Sequence, residues 1–201
     1  LIADEVITGF GRTGEWFGIQ TEDVDPDMIT FAKGVTSAYA PLAGVIVDES
    51  IGERLRSESY GLGQTFGGHP VACAAGEAAI QEYRNGLIDQ ARAVSPHLES
   101  RLREVAAEFD VVDTVRGRGL LWSVVFADPE TGDPFVHPWV EPEGDNPVPA
   151  VREAAQERGV LFGAGRPDDQ VIIAPPLVVT EAEIDDAVDV LASSIEAVFD
   201  S

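Results

Sequence analysis

The chain has 201 residues, thirty-six acids against thirteen basic side chains, a net charge of −23 and 44% hydrophobic residues. That is enough apolar material for a sizeable core, in one domain or in one domain plus a smaller one. Negative charge spread along the whole chain repels nucleic acid and anionic membrane, which leaves small molecules as the expected partners.

Leu1-Ile2-Ala3 is an apolar run that ends in Asp4-Glu5. It predicts a buried parallel strand delivering acids at its carboxyl end, where open α/β sheets place ligands. The chain opens in mid-strand, with neither Met nor a capping signal, and reads as the C-terminal portion of something longer. Gly9-Phe10-Gly11-Arg12-Thr13-Gly14 then matches G-x-G-x-x-G. The context rejects a dinucleotide fold, because Glu15-Trp16-Phe17-Gly18 and Asp25-Pro26-Asp27 cannot sustain the helix that must follow. Met28 to Ala32 predicts a second strand, leading into Lys33-Gly34, and Leu42 to Val47 a third, with Pro41 tolerated only at its start. Three such runs predict a sheet buried on both faces.

Pro70 suits the first position of a helix reaching about Arg84. Its small-residue run Val71-Ala72-Cys73-Ala74-Ala75 predicts that Cys73 is packed inside. An amphipathic helix follows from Ile88 to Glu108, with Leu98, Leu102, Val105 and Phe109 at core spacing. After Asp110 the texture changes. Val111 to Val115 and Leu120 to Phe126 read as strands joined by Arg116-Gly117-Arg118-Gly119, and residues 128–149 as a proline-rich, acidic loop. Val148 to Arg158 reads as a helix, and Val160-Leu161-Phe162 and Val171-Ile172-Ile173 as strands. A final helix starts at Thr180, which forms a capping box with Glu183, and buries Ile184, Val188, Leu191 and Ile195. The expected architecture is α/β with a mainly parallel sheet over residues 1–110, then a small α+β domain over residues 111–201.

The chemistry concentrates on Lys33, the one lysine beside twelve arginines. Arginine keeps its delocalised charge, whereas a partly buried lysine can become neutral and attack a carbonyl as a Schiff-base nucleophile. Asp4 and Lys33 both fall at strand ends, so one rim of a sheet can carry acid and amine together. A buried carboxylate keeps a pyridine nitrogen protonated, and the protonated ring draws electrons from a carbanion beside an imine. This is the division of labour that pyridoxal 5'-phosphate requires. The strand ending in Asp4-Glu5 also resembles the metal-binding strand of a P-loop ATPase; no G-x-x-x-x-G-K-[ST] is present in these residues, and one lying upstream would keep an ATPase fragment as a minor rival. No metal ligand set is expected. Cys73 has no partner for an intrachain disulfide, which fits a reducing cytoplasm. Scarce lysine with abundant acid is the composition expected of a protein kept soluble in concentrated salt.

Leu1 to Gly14, Asp27-Met28-Ile29-Thr30-Phe31-Ala32-Lys33-Gly34, Thr65-Phe66-Gly67-Gly68-His69-Pro70 and Ala174-Pro175-Pro176-Leu177 together resemble the class III pyridoxal-phosphate aminotransferases. The likeness runs across the whole chain. It implies the C-terminal part of the large domain of a fold-type I transferase, followed by the small domain. It also implies that Asp4 pairs with the ring nitrogen, Val6 packs on a ring face, and Lys33 forms the imine. Thr65 is then the ligand of the cofactor phosphate in the neighbouring subunit of a homodimer, and His69 a helix-start residue rather than a base. Members that transaminate ornithine, acetylornithine or 4-aminobutyrate carry an arginine where this chain has Ile172. An aliphatic side chain cannot clamp a carboxylate. Thr13-Gly14-Glu15-Trp16-Phe17-Gly18 and Gly68-His69-Pro70-Val71-Ala72-Cys73 look more like the branch that passes amino groups from amines and ω-amino acids to pyruvate, and imine exchange at Lys33 implies ping-pong kinetics. Arg166 is the candidate for gripping the substrate carboxylate there. An aminomutase, a decarboxylating relative and a non-catalytic piece that needs its upstream half stand as rivals, since the cofactor does the hard chemistry.

Overall fold

A computed structural model describes residues 1–22, 24–58, 61, 63–136 and 146–199. The chain divides into two compact units, Leu1–Arg92 and Ala93–Ser201.

The first unit is built on a three-stranded sheet in the order β1 (Ile2–Asp4), β2 (Met28–Phe31), β3 (Gly44–Val47). β1 and β2 are parallel, with Ile2 opposite Met28, Ala3 opposite Ile29 and Asp4 opposite Thr30. A parallel pair needs a long crossover, which residues 5–27 supply. β3 returns through residues 32–43 and pairs antiparallel with β2. The expected burial on both faces is not met within this unit, where Ile2 is 61% and Val45 56% exposed. The short strands lie in the sheet, but the helices of the unit leave these side chains uncovered.

The Gly-rich segment forms turns rather than a helix, as the proline and glycine pattern requires, and ends in a 3-10 turn at Gly18–Thr21. Helix α1 (Glu49–Ser57) is capped by Asp48, whose side chain accepts a hydrogen bond from the Ser50 amide at 2.9 Å. Helix α2 (Pro70–Glu82) starts with proline in its first turn and with His69 at the N-cap position. Its buried positions are Ala72 and Gly76, one helical turn apart. Cys73 is exposed, which corrects its expected burial. One residue along a helix turns the side chain by about 100°, so the neighbour of a buried Ala72 points away. A wide turn at Tyr83–Leu87 leads into α3 (Ile88–Glu108). The bend between the two helices lies at Gly86, whose φ of 116° strains any side-chain-bearing residue.

The second unit packs helices on an antiparallel sheet ordered β4 (Val112–Arg118), β5 (Leu121–Phe126), β7 (Gln170–Ile173), β6 (Gly163–Ala164). β4 continues through Arg116-Gly117-Arg118, so the hairpin turn is Gly119-Leu120 and not the four residues expected to join the strands. Val160-Leu161-Phe162 is not a strand. The short edge strand lies one step later, where Gly163 and Ala164 pair with Ile172 and Val171. Part of the expected proline-rich loop, residues 137–145, lies outside the described residues.

The core of this unit gathers Trp122, Val124 and Phe126 of β5, Val171 and Ile173 of β7, and Val148, Val151 and Ala155 of α4 (Val148–Glu157). α5 (Glu181–Phe199) adds Ile184, Val188, Leu191 and Ile195, all buried as its periodicity predicts. Leu98, Leu102 and Val105 of α3 are also buried, while Phe109, just past its end, is half-buried. The capping box is formed. Glu183 accepts from the Thr180 amide and hydroxyl at 2.8 Å each, and its own amide donates to the Thr180 hydroxyl at 3.3 Å. Among the described residues, no helix is long and apolar enough to cross a membrane.

Candidate active site

The parallel step between β1 and β2 sets the frame of the site. Asp4 is the last residue of β1, directly opposite Thr30, and β2 runs on through Phe31 and Ala32 to Lys33. Acid and amine therefore leave neighbouring strands at the same sheet end. The Asp4 carboxylate accepts two hydrogen bonds, both on Oδ1, from the Thr30 hydroxyl at 3.0 Å and from the Val6 amide at 3.2 Å.

Lys33 opens a 3-10 turn, Lys33–Thr36, with φ of 43°. A non-glycine residue in this left-handed region is uncommon and costs of order 1–3 kcal/mol, so the surroundings must hold it. They do so from behind the turn. The Tyr83 hydroxyl donates to the Gly34 carbonyl at 2.5 Å and lies 2.9 Å from the Ser37 hydroxyl. The Lys33 carbonyl accepts from the Ala38 amide at 3.1 Å, and the buried Thr36 hydroxyl donates to the Ala40 carbonyl at 2.6 Å. Gly34 lies against Phe10, where an added Cβ would stand 3.0 Å from the Phe10 Cβ. Phe10 is buried and meets Phe17, Phe31 and Tyr83 with ring centroids 5.5 to 5.9 Å apart. The turn that carries Lys33 thus packs, through Gly34, on a buried aromatic cluster.

Burial is distributed differently from expectation. Asp4 and Lys33 are both exposed among the described residues, where a buried acid and a partly buried lysine were expected. The inward acid is Glu5, 3% exposed. Its carboxylate accepts from the Gly18 amide at 2.8 Å, the Ile19 amide at 2.6 Å and the Thr8 hydroxyl, while its own amide donates to the Thr30 carbonyl at 2.9 Å. Strand alternation is the signal that points to it: Ala3 and Glu5 share the inner face and Asp4 takes the outer one. Glu5 thereby fastens the loop that follows Val6, a half-buried residue, onto the strand that carries Asp4.

Thr65 and Phe66 are exposed on a turn that closes with the Gly67 amide on the Gln64 carbonyl at 3.0 Å and has Gly68 at φ of 66°. An apolar recess of about 360 Å³ lies beside it, lined by Ala40, Pro41, Phe66, His69, Val71 and Ala72.

Arg166 belongs to the second unit, in the turn between β6 and β7, and is exposed. Its turn is anchored by neighbours rather than by Arg166 itself. Arg152 Nη2 reaches Asp168 at 2.9 Å, Asn146 donates to the Asp168 carbonyl at 2.7 Å, and the Gln170 amide side chain bridges the Ser123 hydroxyl and the Pro167 carbonyl. Asp169, buried beside this turn, has its carboxyl held above the ordinary range by desolvation. Ile172 is a β7 residue paired with Ser123 and Gly163.

Comparison with known proteins gives consistent matches. A family model described as aminotransferase class-III matches residues 1–195. The chain is 37% identical over 206 residues to an uncharacterised aminotransferase, y4uB, of Sinorhizobium fredii, across 100% of this chain and 43% of that protein. It is 40% identical over 195 residues to a diaminobutyrate–2-oxoglutarate transaminase of Halomonas elongata, across 94% of this chain and 40% of that one. Among solved structures, an S-selective transaminase from Arthrobacter sp. with alanine bound superposes with a TM-score of 0.89 at 33% identity, across 98% of this chain and 43% of the other. The chain thus spans less than half the length of these relatives.

Proposed function

Since this chain belongs to the class-III aminotransferases, we propose that its protein moves an amino group from an amine or ω-amino acid to a keto acid such as pyruvate. The family depends on pyridoxal phosphate, and the structural neighbours are fold-type I transaminases. Within that fold, residues 1–110 are assigned to the cofactor-binding large domain and residues 111–201 to the small C-terminal domain.

The observation that carries the reading is the β1–β2 step, which brings a carboxylate and the sole lysine out of adjacent parallel strands. This donor set fits pyridoxal phosphate, because an acid for the ring nitrogen and an amine for the aldehyde are the two groups its chemistry demands. Bound there, the cofactor supplies an aldehyde and an electron-withdrawing ring. Asp4 would hold the ring nitrogen through its carboxylate, and Val6 would pack against the ring face. Lys33 Nζ would provide the covalent attachment and, when free and neutral, would serve as the base that moves a proton at the donor carbon. Thr65, exposed on a glycine-rich turn, would contact the phosphate in the second subunit of a homodimer.

The pyruvate preference is supported by Ile172, which cannot grip a second substrate carboxylate, and by the Arthrobacter neighbour, which holds alanine, the amino form of pyruvate. Arg166, exposed on its anchored turn, binds the single carboxylate of the acceptor. A 2-oxoglutarate acceptor is the second reading, favoured by the name of the Halomonas elongata relative.

Half-reactions decide between these. Mixed with an amine donor and no acceptor, the cofactor-loaded protein should release one carbonyl product per site, and added pyruvate should then yield alanine. Product release that requires both substrates together contradicts the mechanism, and turnover with 2-oxoglutarate alone selects the second reading.

A further inference from the structure

Resting on the function proposed above, the geometry points to Thr30 as a positioning residue that fixes the rotation of the Asp4 carboxylate. Thr30 faces Asp4 in the parallel register, and its hydroxyl donates to Asp4 Oδ1 at 3.0 Å. The Val6 amide donates to the same oxygen at 3.2 Å. An ionised carboxylate offers about four acceptor sites on two oxygens. With both of these donors on Oδ1, the carboxylate is held in one rotation and Oδ2 is the oxygen presented to an incoming N–H.

Threonine suits the task for two reasons. Its branched Cβ leaves few side-chain rotamers, so the hydroxyl is held where the strand puts it. Its backbone is fixed as well, because the Thr30 carbonyl accepts the Glu5 amide at 2.9 Å. Lys33 follows three residues later on the same run. One short segment therefore sets both the aim of the acid and the position of the amine, and a ring spanning them meets two groups placed by one backbone. Thr30 touches neither substrate nor cofactor in this account. It acts through Asp4.

The test compares Thr30→Val, which removes the donor and keeps the branched shape, with Thr30→Ser, which keeps the donor. Three readouts are needed: equilibrium dissociation of pyridoxal phosphate, the pH dependence of the bound-cofactor absorbance, and thermal unfolding without cofactor. Thr30→Val should weaken cofactor binding by about tenfold, the size of one hydrogen bond to a charged group, and displace the absorbance titration. Thr30→Ser should stay within about twofold of wild type on both, again on the scale of that one hydrogen bond. If Thr30→Val does not fold, Thr30→Ala against Thr30→Ser makes the same comparison. Wild-type affinity and an unmoved titration in the donorless variant overturn the proposal. So does equal loss in the serine and donorless variants with a matching fall in unfolding temperature, which marks a purely structural threonine. Borohydride trapping of wild type separates the levels: no Lys33 adduct removes the underlying function and this role with it, whereas an adduct with an indifferent Thr30→Val removes this role alone.

Discussion

The Tyr83 hydroxyl donates to the carbonyl of Gly34, the residue next to Lys33, across 2.5 Å. Tyr83 is 4% exposed and packs against Phe10 and Trp16, so this bond is made inside the protein. A turn that starts in the left-handed region is held by a group far away in sequence, and the site depends on that hold. Tyr83→Phe keeps the ring and leaves the carbonyl without this donor. The expected cost is about 1–2 kcal/mol in denaturant unfolding, with slower covalent capture of pyridoxal phosphate.

Glu5 makes a sharper case. Glu5→Gln replaces an acceptor-only carboxylate that serves two amides and a hydroxyl with a group half of which is a donor. Stability should fall by about 3 kcal/mol. Limited proteolysis should show earlier cleavage in the loop through residues 6–19. Unfolding indistinguishable from wild type rejects this role for Glu5.

Acid sensitivity in the second unit is expected at Asp185. His97 Nε2 donates to its carboxylate at 2.8 Å and Arg101 Nε at 2.9 Å, and the first of these contributes most to holding Asp185 below the ordinary carboxylate range. A carboxylate depressed in the folded state stabilises above its unfolded pKa, about 3.9, and loses that contribution as pH falls through the lower folded value. Wild type should therefore lose stability more steeply below about pH 4 than Asp185→Asn. Parallel curves of unfolding midpoint against pH reject the assignment.

Much of this was legible in the sequence, for identifiable reasons. Lys33 and Asp4 stand out because their chemical types fall at the ends of short apolar runs, and α3 and α5 because a 3.6-residue period leaves few alternatives. Burial was harder to read. A run of small residues does not set the phase of α2, so Cys73 went to the wrong face. Asp4 lies outside and Glu5 inside because a strand assigns its faces by alternation, a phase that so short an apolar run does not reveal. The edge strand at Gly163 and Ala164 has no propensity of its own and exists through pairing with β7. Tyr83 gave no local sign, since its partner lies 49 residues away.

Arg166 tests the substrate side. Arg166→Ala should raise KM for the keto acid by about ten- to a hundredfold, the loss of a charged bidentate contact, and leave cofactor affinity unchanged. Equal loss of acceptor and cofactor binding contradicts the role.

The most direct test is reductive trapping. The protein is loaded with pyridoxal phosphate, reduced with borohydride and mapped by peptide mass, alongside Lys33→Ala. One modified peptide containing Lys33, absent from the variant, is the predicted result. A wild-type protein that binds the cofactor yet yields no adduct at Lys33, or yields it equally elsewhere, contradicts the account.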